Sequence, residues 1–187
     1  MRDVVGDRGD GLPVGADAAL KLEPPGKAAP ALGPNVEARG IGAATARIAG
    51  ARGYKVAVNY RERRDAADQV VADIEAAGGK AGAFRGDVGV EADVVRLFNE
   101  VDEKLGPLTA LVNSAGITGN GTAVADYSAD ALNRLMAVNV MGTMLCCREA
   151  VRRMSTKKGG AGGAIVSTPP ANPGASPADS AQRTDIR

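Results

Sequence analysis

"RGIGAATARI", Arg39 to Ile48, sets a glycine pair at the head of a run of small, helix-forming residues. A glycine-rich turn between a strand and a helix lets backbone approach a pyrophosphate, whose charge then sits at the helix N-terminus. Gly40 and Gly42 fit the last two glycines of such a turn, with Ile41 between them. The stretch also fits an ordinary loop leading into a helix. A strand should precede it. Yet "PALGPNVEA" puts Pro34 where a central strand needs a ladder N–H, and Val36 where a first glycine belongs. This predicts a damaged phosphate cradle.

Outward from that stretch, the chain has three textures. Residues 1–38 are rich in Gly, Pro and Asp without a sustained period, and are expected to be irregular. Across 39–166, short apolar runs alternate with helical patterns, the signature of strand–helix units on a parallel sheet. "KVAVNY" (Lys55–Tyr60) is a strand, followed by a helix with Ala67, Val70, Val71 and Ile74 on one stripe, stopped at Gly78-Gly79. "KAGAFRGDV" is a weaker strand. The next helix carries Val94, Phe98, Val101 and Leu105 and ends at Gly106-Pro107. "LTALVNSAG" is a strand, Ser128 caps a long helix over 129–154, and "GGAIV" begins one more strand. Residues 167–187, Pro-, Ser- and Ala-rich, are expected to be a disordered tail. The fold class this predicts is α/β, a partial doubly wound parallel sheet in three αβα layers.

Composition narrows the function. The chain has 187 residues, room for one domain with a core. Its 23 basic and 22 acidic residues leave a net charge of +1, which argues against a nucleic-acid binder. With no His and two Cys, side by side at 146 and 147, no metal site is expected and a His-dependent hydrolase is excluded. No apolar run reaches the ~18 residues of a membrane span, and the start lacks the apolar stretch of a signal peptide. The expectation is a soluble cytoplasmic protein with no membrane or nucleic-acid partner.

Chemistry-bearing residues fall at the predicted strand ends, the edge where open α/β sheets bind ligands. Beyond the second strand comes "NYRERR" (Asn59–Arg64). An acid there would take a ribose 2′-hydroxyl, whereas Arg61, with Arg39 approaching from the glycine turn, suits a 2′-phosphate. That favours NADP over NAD, although a run of this kind also serves as a solvated charge cluster. "GDV" (Gly86–Val88) ends the third strand, where Asp87 could accept from an adenine amino group. "NSAG" (Asn113–Gly116) ends the fourth, its small residues leaving room for a cofactor. Asn139 lies mid-helix in "LMAVNVMG", where Asn is a mediocre helix former. Either a neighbouring carbonyl satisfies it or it holds a water or a catalytic group.

Together RGIG (39–42), NYR (59–61), GDV (86–88), NSAG (113–116) and MAVNVMGT (136–143) resemble the short-chain dehydrogenase/reductase family, in particular its 3-oxoacyl-reductase-like and glucose-dehydrogenase-like members. The resemblance runs over about Arg39–Val166. NSAG stands where the family usually has Asn-Asn-Ala-Gly. It implies a mostly parallel seven-stranded sheet and hydride transfer between NAD(P)H and a small-molecule carbonyl or alcohol. By position it implies Asn139 as the relay-water Asn among the catalytic residues. Gly40, Ile41 and Gly42 would lie under the pyrophosphate, and Arg39 and Arg61 near a 2′-phosphate. Asp87 and Val88 would flank the adenine, and Asn113, Ala115 and Gly116 would line the cofactor pocket. The helix 129–154 would contribute to a subunit interface, so a homo-oligomer is an expectation if the chain folds.

The family's catalytic Ser and Tyr-x-x-x-Lys do not carry over. The last Tyr is Tyr127, the last Lys is Lys158, and ungapped extension puts Pro170 at the Ser position. Without a proton donor matched to the nascent alkoxide, no dehydrogenase activity is expected of this polypeptide. The expected first strand is lost too, which predicts a marginal domain with exposed parallel edges. The abrupt change of texture near 36–38 and 166–168 suits a frame shift or a misplaced gene boundary. Two other classes stay open: a non-catalytic NADP(H)-binding or regulatory protein, and an interaction fragment associating through the helix 129–154.

Overall fold

In the computed structural model, residues 30–33, 40–118, 123–168 and 182–186 are described. Their strands are β1 (Pro30–Gly33), β2 (Lys55–Tyr60), β3 (Lys80–Arg85), β4 (Ala110–Asn113), β5 (Gly163–Ser167) and β6 (Gln182–Ile186). They form one sheet in the order β3-β2-β1-β4-β5-β6. All neighbours are parallel except β6, which runs antiparallel along β5.

Alternation along β2 shows why the sheet is covered on both sides. Val56, Val58 and Tyr60 join a core with Ala43, Ala46 and Ala49 of α1 (Ile41–Ala51) and Ala67, Val70 and Ile74 of α2 (Arg64–Ala76). Ala57 joins the opposite core, with Val94, Leu97, Phe98 and Val101 of α3 (Glu91–Leu105). Ala150 and Met154 of α5 (Thr143–Met154) complete that side. Successive strand residues face opposite layers, so β2 must be apolar on both faces. The result is the doubly wound αβα arrangement. The small residues of α1 allow close packing: a Cβ on Gly50 would lie 2.5 Å from the Ile74 side chain.

The local punctuation acts as its chemistry dictates. Gly106, at φ +96°, ends α3 in a conformation that side chains disfavour. The Ser128 Oγ accepts from the Ala131 N–H at 3.1 Å and caps α4 (Ala129–Met136). The expected single helix over 129–154 is α4 and α5 joined by one π-helical stretch, Ala137–Gly142. No helix among the described residues is long and apolar enough to cross a membrane.

Two expectations are corrected. The segment before residue 39 is not wholly irregular: Pro30–Gly33 is the central strand, paired with β2 from Pro30↔Lys55 to Gly33↔Val58 and with β4 at Ala31 and Leu32. Proline is tolerated because it stands first in the strand, and Pro34 falls beyond its end. Nor is 167–187 wholly irregular, since β6 pairs with β5 from Gln182↔Ser167 to Ile186↔Gly163. Pairing across the sheet supplies what a four- or five-residue segment lacks in local pattern.

Candidate functional site

The parallel strands present their carboxyl ends at one edge, and the motif residues gather there. Gly40 is the N-cap of α1, exposed and extended at φ −90°, while Gly42 is buried in the first turn. Ile41 between them is 41% exposed. Arg39 lies outside the described residues.

At the ends of β2 and β3 a cleft of about 540 Å³ opens between Arg61, Glu62, Arg85, Asp87, Val90, Asp93 and Arg96. Arg61 is ion-paired with Glu62. Arg85 follows from the register: Tyr60 pairs with Arg85, so the two strands end together and the Arg85 Nε donates to the Arg61 carbonyl at 3.4 Å. Arg96 bridges Asp93 and Glu100 at 2.9 and 3.0 Å. A bond from the Asp87 N–H, and then Arg96, hold the Asp93 carboxyl below the usual carboxylate range. Three guanidiniums thus line the cleft beside three carboxylates, with Arg61 paired to Glu62 and Arg96 to Asp93.

Asp87 is held from several sides. Its Oδ1 accepts from the Gly89 N–H at 2.9 Å and its Oδ2 from Arg134 at 2.8 Å. A carboxylate offers about four acceptor positions, so capacity remains for a ligand's N–H. The neighbouring Val88 side chain is buried in the core.

Asn113 is buried at the end of β4, and its Nδ2 donates to Cys147 Sγ at 3.4 Å and to Ser167 Oγ at 3.3 Å. That amide ties β4 to β5 and α5. Ala115 packs against the core and Gly116 is exposed. Asn139 lies in the π-helical stretch, its Oδ1 accepting from the Ile117 N–H and its Nδ2 donating to the Ile117 carbonyl, both at 2.9 Å. These two bonds commit the Asn139 side-chain amide to the backbone of the loop after β4. Arg85, Arg96 and Arg134 were not singled out from sequence. Only Arg85 had a signal, as the last residue before the GDV turn.

The short chain dehydrogenase family profile matches residues 37–172. Over 128 residues the chain is 48% identical to the uncharacterized oxidoreductase YgfF of Escherichia coli K12, covering 68% of this chain and 52% of that protein. It is 38% identical over 128 residues to the 3-oxoacyl-[acyl-carrier-protein] reductase of Rattus norvegicus, covering 68% and 50%. Among solved structures, a short chain dehydrogenase from Burkholderia cenocepacia J2315 in complex with NADP superposes with a TM-score of 0.65 at 34% identity, covering 71% of this chain and 53% of that one. A dehydrogenase/reductase from Sinorhizobium meliloti 1021 gives 0.65 at 33% identity, covering 69% and 50%. The chain thus spans about half the length of the curated relatives it matches. Since the family profile matches well over half of the chain, and β2 to β5 lie within the matched residues, the chain belongs to the short chain dehydrogenase family, whose fold is this doubly wound α/β sheet.

Proposed function

We propose that these residues are the NADP(H)-binding half of an oxidoreductase acting on a small-molecule carbonyl or alcohol. The observation that carries the reading is the cleft where Arg61 and Arg85 stand together opposite Asp87. Two guanidiniums suit a 2′-phosphate better than a ribose hydroxyl, which favours NADP over NAD. Arg61 would hold that phosphate and Asp87 would accept from the adenine amino group. Gly40, Ile41 and Gly42 would offer the α1 N-terminus to the pyrophosphate. Asn113, Ala115 and Gly116 would line the groove beyond it. The bound nicotinamide would supply or accept the hydride.

For the 187-residue polypeptide itself, we infer binding without turnover. Four residues after Tyr54, Tyr60 and Tyr127 stand Val58, Arg64 and Ala131, so no Tyr-x-x-x-Lys is present. Asn139 does not titrate, and its side chain is committed to Ile117. A missing general acid–base group costs about 10²–10⁴ in rate. Titrating NADPH into the purified chain while following nicotinamide fluorescence, alongside NADPH oxidation with a panel of carbonyl compounds, tests both parts. Binding without oxidation is the expected result. Absence of binding overturns the first part, and steady oxidation by a sample free of host reductases overturns the second.

A second reading, association through residues 129–154, has its own observation. Leu132, Met136, Val140 and Met144, at four-residue spacing, are 44% to 63% exposed. Exposed apolar side chains in such a row suit an interaction surface, which supports this reading. Sedimentation of the chain with and without Met144→Glu tests it, loss of association being the supporting outcome.

A further inference from the structure

One helical segment grips two separate loops of the ligand edge. Arg134 of α4 donates through Nη2 to Asp87 Oδ2 at 2.8 Å, and five positions on, in the π-helical stretch, Asn139 holds Ile117 by two bonds. The first contact fixes the turn after β3 and the second the loop after β4. The segment is pressed closely onto the first turn. A Cβ on Gly142 would lie 2.9 Å from the Val88 carbonyl oxygen, and one on Gly89 2.9 Å from Arg134 Nη1. Asp87 is oriented from its other sides by the Gly89 N–H on Oδ1 and by its own N–H to Asp93 Oδ2, both at 2.9 Å. Arg134 is the partner that comes from a different layer, and it is two-thirds buried at the contact.

We infer that Arg134 is a positioning residue of the cofactor site: it aims the Asp87 carboxylate so that its open lone pairs meet the adenine amino group. The inference rests on the cofactor reading above. With the Gly89 N–H on Oδ1, the guanidinium on Oδ2 fixes the second oxygen, so the remaining lone pairs point in set directions, which a carboxylate held at one oxygen alone would not provide. Discrimination follows, because a base presenting a carbonyl in place of that amino group meets a carboxylate held in position to repel it.

The test compares the affinity of the full chain for NADPH and for its hypoxanthine analogue, which carries a carbonyl in place of the adenine amino group. The wild-type chain is expected to prefer NADPH by roughly tenfold, the worth of one charge-assisted hydrogen bond. Arg134→Met is expected to bring the two affinities together, as does Asp87→Asn, and combining them adds nothing further. Arg134→Lys, which keeps a cation but loses the fork, retains part of the preference and serves if Arg134→Met fails to fold. A role confined to stability would weaken both nucleotides alike and keep their ratio. An unchanged ratio in Arg134→Met overturns the inference while leaving the cofactor reading intact. A wild-type chain that does not distinguish the two nucleotides overturns it as well. A wild-type chain that binds neither removes the cofactor reading and this inference together.

Discussion

Asn139 and Ile117 exchange two hydrogen bonds of 2.9 Å, side-chain amide to backbone N–H and carbonyl, across the space between the π-helical stretch and the loop after β4. The amide gives the Ile117 backbone the two bonds that a strand partner would otherwise supply. It also explains why a mediocre helix former stands mid-helix, where the backbone widens from α to π.

Replacing Asn139 by Ala leaves both Ile117 groups without their partner. Each partly buried polar group so orphaned costs about 1–3 kcal/mol, so Asn139→Ala should lower unfolding stability by about 2 kcal/mol. Urea denaturation checks it. Asn139→Asp should also destabilise, because its second oxygen faces the Ile117 carbonyl instead of donating to it.

Acid sensitivity should centre on Glu149. It is 3% exposed and receives Arg148, Arg152 and Arg153 at 3.1, 2.8 and 2.8 Å. Burial opposes its ionisation, but the bonds from Arg153 and Arg148 outweigh that and hold the carboxyl below the usual range. With the folded pKa below the unfolded one, this stabilisation is fully present above the unfolded value near 4.3 and is lost as pH falls through the folded value. Glu149→Gln should cost about 2–3 kcal/mol at neutral pH and flatten the stability profile below about pH 5, as followed by denaturant midpoints.

The thiols should be inert while the chain is folded. Burial pushes Cys146 up to about 12, and burial also raises Cys147 despite bonds from Asn113 and Ser167. The thiolate is the reacting species, so an aromatic disulfide reagent at pH 8 should label the native chain slowly, Cys147 before Cys146. Both should react quickly in denaturant. Fast labelling of Cys146 in the native chain would show that α5 is not docked as described.

Selectivity between the dinucleotides should depend on Arg61. Arg61→Ser is expected to weaken NADPH about tenfold while changing NADH little, since only the former carries the 2′-phosphate. Equal losses for both nucleotides would place the effect in the fold rather than in phosphate recognition.

Local pattern determined a large part of this protein. The stripes Ala67–Val70–Ile74 and Val94–Phe98–Val101–Leu105 are buried as their spacing dictates, and Lys55–Tyr60 is a strand with both faces covered. Ser128 caps and Gly106 stops as their backbone chemistry requires. The order of motifs also identified the sheet edge where Arg61, Asp87 and Asn113 stand, because strand ends follow from strand positions. What pattern left open is non-local. Pro30–Gly33 has no signal of its own and becomes a strand because β2 and β4 pair with it on either side. Gln182–Ile186 is extended because β5 offers an open edge. Arg134 meets Asp87 across 47 positions, and no spacing rule connects them. Periodicity reports which face of an element is apolar, a property of neighbouring residues. Tertiary packing decides which hydrogen-bonding groups find each other, a property of the assembled sheet.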